Sequence, residues 1–218
     1  AITLTVVAGV PVRLHLIQQP STEVVDSDVL RTQPVVQLQD AAGNAVPNPT
    51  VVSLTVLAHV EPEGDDSISF FNIDEGAFLY TDVLIIAKYG LAYNIRFTLA
   101  PVPGWTVADA LSDTIRAKTC GQTEYFIIND TACQPCPEGA MCNSSSVLVT
   151  AEHHWRSSTN TPTFLRCIRD TRCLAGYEVG TCRERFRGPL CKLCDPKHIG
   201  AGCQPCSNPL FSVLQLSG

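Results

Sequence analysis

All eleven cysteines of this 218-residue chain fall between Cys120 and Cys206, and residues 1–119 contain none. That division constrains the fold more than any other feature. The first stretch is long enough to bury a core of its own. The second is loop-rich and poor in large apolar residues, so it needs cross-links to hold a shape. Clustered cysteines in such a segment point to an oxidising compartment outside the cytosol. Two glycosylation sequons agree, Asn129-Asp130-Thr131 and Asn143-Ser144-Ser145, whereas Asn48 is disqualified by Pro49. The expected location is therefore extracellular or at the cell surface.

In the cysteine-free part, apolar residues alternate between turn signals. "PVRLHLI" sets Val12, Leu14 and Leu16 on one face, with Arg13 and His15 opposite. "PVVQLQDAAGNAV" carries a strand into a turn where Gly43 and Asn44 tolerate positive φ. "TVVSLTVLA", "SISFF" and "AFLYTDVLII" follow. "YNIRFTL" then places Tyr93, Ile95, Phe97 and Leu99 inward and Asn94, Arg96 and Thr98 outward, and "SDTIRAK" closes the set. Seven short strands without helical periodicity predict a β-sandwich. The oxygen-rich run Val60 to Asp66, with Asp40, follows no recognisable calcium-ligand spacing and reads as a solvated acidic loop.

"AGVPVRLHLIQQPS", "PVVQLQDAAGNAVPN" and "GAFLYTDVLIIAKYGLAYNIRFTLA" resemble the tandem immunoglobulin-like repeats of large surface and adhesion proteins. The shared pattern is a Gly-x-Pro-x-x-Leu opening, Gln-Pro, an Asp-x-x-Gly-Asn turn and a Gly-x-x-Tyr strand. The resemblance covers roughly residues 9–118 and implies an immunoglobulin-like sandwich over 9–119, here without an internal disulfide.

Farther on, Cys191-x2-Cys194-x8-Cys203-x2-Cys206 offers four thiolates in two pairs that tetrahedral Zn²⁺ would accept. The sequons and the seven remaining cysteines favour disulfides instead, and no metal or cofactor is expected. "CPEGAMC" and "CRERFRGPLCKLC" resemble the epidermal-growth-factor-like and ephrin-receptor-like cysteine-rich repeats of surface proteins. "HHWRSSTNTPTFLRC" is similar to the segment preceding such repeats in multi-repeat proteins of algae and other protists. These resemblances cover 120–206 and imply the pairs Cys120–Cys133, Cys136–Cys142, Cys167–Cys173, Cys182–Cys191 and Cys194–Cys203, leaving Cys206 over. His153 and His154 lack neighbouring ligand partners and read as polar flanks of a packed Trp155. "SSTNTPT", Ser157 to Thr163, reads as an exposed loop that could carry O-linked sugar.

Charge is uneven. Residues 1–118 carry six Lys/Arg and thirteen Asp/Glu, a net of −7, and residues 119–218 carry nine and eight, a net of +1. Seven of the arginines lie between Arg156 and Arg187. So few basic residues argue against nucleic acid, and no apolar run of about 18 residues suggests a membrane span. No nucleophile elbow, phosphate loop or zinc-protease motif is present, so the chain is expected not to be an enzyme.

"AITLTVVAG" opens the chain where the last strand of a preceding repeat would lie, with Ile2, Leu4 and Val6 on one face. Burying those three side chains is worth roughly 5–9 kcal/mol. Residues 1–8 therefore read as an orphan strand able to insert beside an edge of a neighbouring copy. Residues 207–218 read as an extended tail, with 210–216 as a second clasp. A chain that donates at one end and accepts elsewhere makes a filament. The expected function is a glycosylated subunit of an extracellular fibre or surface appendage, with copies of itself as partners. The alternative is an ectodomain module of a large adhesion or receptor protein that binds a protein or glycan.

Overall fold

The computed structural model describes residues 8–25, 28–46, 54–64, 66–72, 76–176 and 178–206. The orphan strand's Ile2, Leu4 and Val6 and the tail 207–218 lie outside them. The chain is mainly β and divides into two compact units. One holds the described residues up to Lys118 together with Ile128–Ala132, and the other holds Thr119–Ile127 and the described residues from Cys133 onward. The sequence division at 119/120 thus lies within a residue of the first crossing, but five later residues return to the first unit.

The first unit contains strands β1 (Pro11–Gln18), β2 (Glu23–Val24), β3 (Val35–Asp40), β4 (Val56–Glu61), β5 (Asp66–Ile68), β6 (Phe70–Asn72), β7 (Ala77–Leu79), β8 (Asn94–Leu99), β9 (Ala110–Leu111) and β10 (Arg116–Ala117). They form two four-stranded sheets, ordered β1-β3-β7-β6 and β5-β4-β8-β9, and a short parallel pair of β10 with β2. Leu14, Val36, Leu38 and Phe78 of one sheet share a single core with Val56, Ala58, Val60, Ile95 and Phe97 of the other. Tyr80 and Phe97 meet edge to face at 5.5 Å, and the Tyr80 hydroxyl donates to the Val56 carbonyl at 2.9 Å. That bond satisfies a polar atom that burial would otherwise penalise.

Alternation predicts the inward face of β8 and of Tyr93 just before it: Tyr93, Ile95 and Phe97 are buried and Leu99 is half-buried. It fails in β1. A register shift between Pro11 and Arg13 turns Val12 outward, 38% exposed, while Leu14 is buried and Leu16 half-buried. One extra residue in an antiparallel pair reverses the facing of its neighbours. "SISFF" also departs from a single strand. Ser69 breaks it into β5 and β6, which belong to different sheets. At that break the Val56 amide donates to Ser69 Oγ at 3.2 Å, and the Ser69 amide donates to the Val56 carbonyl at 3.3 Å. In "AFLYTDVLII" only Ala77–Leu79 is strand, although Tyr80, Val83 and Ile85 remain buried.

Asp40 organises the turn after β3. Its carboxylate accepts the amides of Gly9 (2.9 Å), Ala42 (3.0 Å) and Asn44 (2.8 Å) and the Asn44 side-chain amide (3.1 Å). Gly43 supplies the positive φ, +86°, at which a side chain would be strained. These donors, the Gly9 amide foremost, hold the Asp40 carboxyl down at about 2. Its oxygens are thus engaged by the turn itself.

The second unit has five antiparallel two-stranded ladders: 124–126 with 133–135, 140–141 with 149–150, 154–155 with 165–166, 186–187 with 193–194, and 198–199 with 204–205. Its buried cluster is small: Cys167, Cys173 and Cys191, flanked by Trp155, Cys182, Phe186 and Leu190. Among the described residues no helix is long and apolar enough to cross a membrane.

Two outcomes test this account. Phe97→Ala, which empties a fully buried site, should cost about 3–5 kcal/mol in denaturant unfolding, whereas Val12→Ala should cost well under 1.5 kcal/mol. Asp40→Asn should lower the unfolding midpoint near pH 6. Because the folded carboxyl titrates lower than the ordinary unfolded one, its stabilisation is present above about pH 4 and lost towards pH 2. Wild type and variant should therefore converge only as the pH falls below about 2.

Candidate functional site

Several chemistry-bearing residues of the first unit are engaged with one another. Around the acidic run, Glu61 accepts from Arg96 Nε at 2.7 Å, Glu63 pairs with Lys88 at 2.7 Å, and Asp66 lies 2.6 Å from His59 Nδ1. Arg96 and Lys88 pull their partner carboxyls below the ordinary glutamate value, chiefly through these hydrogen bonds. The loop that invited a calcium reading is therefore an ion-paired surface, and Asp40 sits apart from it in its own turn.

Asn129 also belongs to the first unit. Its amide donates to the Tyr89 carbonyl at 2.9 Å, and the Tyr89 amide donates to the Asp130 carbonyl at 2.9 Å. This pairing fixes the backbone at φ 69°, a left-handed conformation that asparagine tolerates better than most residues, while Asn129 itself is exposed. In the second unit Asn143 is likewise exposed, one residue beyond the Cys136–Cys142 bridge. The sequon hydroxyl of Ser145 donates to Asn143 Oδ1 at 2.6 Å and accepts the Val147 amide at 3.1 Å.

Five disulfides close in the second unit: Cys120–Cys133, Cys136–Cys142, Cys167–Cys173, Cys182–Cys191 and Cys194–Cys203. Cys206 is an exposed thiol. Three sulfurs of the zinc-type quartet, those of Cys191, Cys194 and Cys203, are thereby committed to S–S bonds. Cys120, Glu124 and Cys133 bring ligand atoms together as well, yet the two sulfurs there are bonded to each other. The two cysteines of Cys133-Gln-Pro-Cys136 belong to different bridges.

Neither His153 nor His154 belongs to a group of three or more His, Cys, Asp or Glu side chains with converging ligand atoms among the described residues. His154 Nδ1 meets the Glu152 carbonyl at 2.9 Å, His153 is exposed, and Trp155 packs on the cysteine cluster. A Cβ on Gly180 would come within 2.7 Å of Trp155 Nε1, so the indole lies directly against glycine backbone. Residues 157–163 form no strand, and short turns such as Asn160 amide to Ser158 Oγ (3.2 Å) shape them.

Two arginine features escape a reading by motif. Arg156 is 2% exposed, with its guanidinium 5.5 Å from the Phe164 ring centroid, and burial lowers its proton affinity. The Arg172 guanidinium lies 4.2 Å over Phe186 and donates to the Ala201 carbonyl. Beside Phe186 opens a groove of about 370 Å³ lined by Leu174, Arg183, Glu184, Arg185, Phe186 and Gly202. The only signal in the sequence is the density of arginine between 156 and 187.

Complete alkylation of the unfolded, unreduced chain should label one thiol, Cys206, and intact mass should lie ten hydrogens below the fully reduced value. Two or more labelled thiols would contradict the ladder. No family model matches this chain, and neither a curated protein nor a solved structure matches it.

Proposed function

We propose that this chain is a non-enzymatic module of an extracellular structural glycoprotein: an immunoglobulin-like β-sandwich followed by an EGF-like, disulfide-stapled segment, carrying N-linked glycans at Asn129 and Asn143. Its role is to hold and present surface. The observation that carries this reading is the second unit's construction, in which ten cysteines close five local bridges in place of a large apolar core. Such bonds persist in oxidising surroundings. The exposure of both sequon asparagines is in keeping with sugar attachment.

Two forms of this role differ in what residues 1–8 do. As a fibre subunit, each copy would donate that strand to an edge of the next. The edges offer little length for it. The outer side of β1 is already engaged: Leu14 donates to the Ala108 carbonyl at 2.9 Å, and Ala108 donates to the Val12 carbonyl at 2.9 Å. The remaining outermost strands, β5, β6 and β9, are three, three and two residues long among the described residues. A donated strand gains about 1 kcal/mol per ladder bond, so short edges return little of its ordering cost. This favours the ectodomain-module form, in which a preceding repeat covers what the strand pattern needs.

Secreted expression in a eukaryotic host separates the two. Enzymatic release of N-glycans should lower the mass, and Asn129→Gln with Asn143→Gln should abolish that shift. By light scattering and negative-stain microscopy, the chain with and without residues 1–8 should be monomeric. Filaments formed only by the longer chain would instead establish strand donation.

A further inference from the structure

We propose that the Arg183–Arg185 groove of the second unit is a binding site for a sulfated polysaccharide. Residues 166–187 hold six arginines against three carboxylates. Arg169, Arg172, Arg183, Arg185 and Arg187 make no ion pair among the described residues. The first unit is the opposite case, since Glu61, Glu63 and Asp66 all pair within it. Glu23, Asp28, Asp82 and Asp113 of that unit make no ion pair among the described residues, so an acidic protein surface is the competing occupant, which the polyglutamate comparison below tests.

The local geometry keeps the charges together. Arg185 is held at φ 74°, a conformation unfavourable for a residue with a Cβ, and its carbonyl accepts the Asp195 amide at 2.9 Å. The Arg183 amide donates to the Arg172 carbonyl at 2.8 Å, tying the groove wall to the turn that carries Arg172. Desolvation, and next the like charge of Arg169, weaken Arg172's hold on its proton. Leu174 and Phe186 give the groove apolar surface, while Glu184 is the one carboxylate lining it among the described residues. A ligand that fits has apolar ring faces and anionic edges, as a sulfated pyranose chain does. Guanidinium forks donate paired N–H bonds to sulfate oxygens. The groove's volume falls within the range of small-ligand sites.

The inference rests on the extracellular reading only for where such a polymer is met. Titration calorimetry on the full, disulfide-bonded chain at about 0.15 M NaCl tests it, with a heparin-type octasaccharide as ligand and inorganic sulfate, neutral dextran and polyglutamate as comparisons. Arg183→Gln with Arg185→Gln should weaken octasaccharide binding about tenfold or more, through loss of two charge-assisted contacts. Arg183→Lys with Arg185→Lys keeps the charge and should still weaken binding several-fold. Arg31→Gln with Arg116→Gln, in the first unit, should leave it within about twofold. The proposal is overturned if wild type does not bind, if the two groove pairs bind like wild type, if the first-unit pair loses as much, or if polyglutamate or sulfate binds as tightly. Failure to bind by a chain with five intact disulfides leaves the extracellular reading standing. Free thiols beyond Cys206 in the secreted chain would overturn that reading and leave the binding result to stand by itself.

Discussion

Loop closure by sulfur carries the second unit. Its five bridges span sequence separations of only 13, 6, 6, 9 and 9 residues. In the chain-entropy account each removes about 2–3 kcal/mol of freedom from the unfolded chain. The ladders between them are two or three residues long and could not stand alone in water. Trp155, Phe186 and Leu190 gather around cysteines because sulfur is the main buried material available. The first unit needs none of this, since two sheets there bury one shared aromatic and aliphatic core.

That contrast governs which surfaces are free to act. In the first unit, charged side chains near the acidic run are spent on one another, and the Asp40 carboxylate on a turn. In the second, little apolar interior exists to anchor long side chains, and several guanidinia face outward or lie on rings. The disulfide framework thus holds a positive surface in place without neutralising it.

The division of the chain and the inward face of β8 were legible because cysteine placement and period-two alternation each report directly on stabilisation. Tyr93, Ile95 and Phe97 obey that period in the structure. Val12 does not, because a bulge inverts facing through backbone register, which the pattern of residues does not encode. Ser69 looked like the centre of one strand and is the point of transfer between two sheets. The return of Ile128–Ala132 to the first unit depends on backbone bonds to Tyr89, and any residue supplies those. Arg156 was legible as charge and not as a buried stack on Phe164, since that contact spans a loop whose path has no local signature.

The central claim is that burial sustains one unit and cross-links the other. Amide hydrogen exchange, followed by strand before and after reduction of all disulfides, tests it most directly. The account predicts that β3, β4 and β8 keep their slow exchange after reduction while the ladders between residues 124 and 205 exchange freely. Retained protection in those ladders without disulfides, or loss of protection in β3, β4 and β8 on reduction, would contradict it.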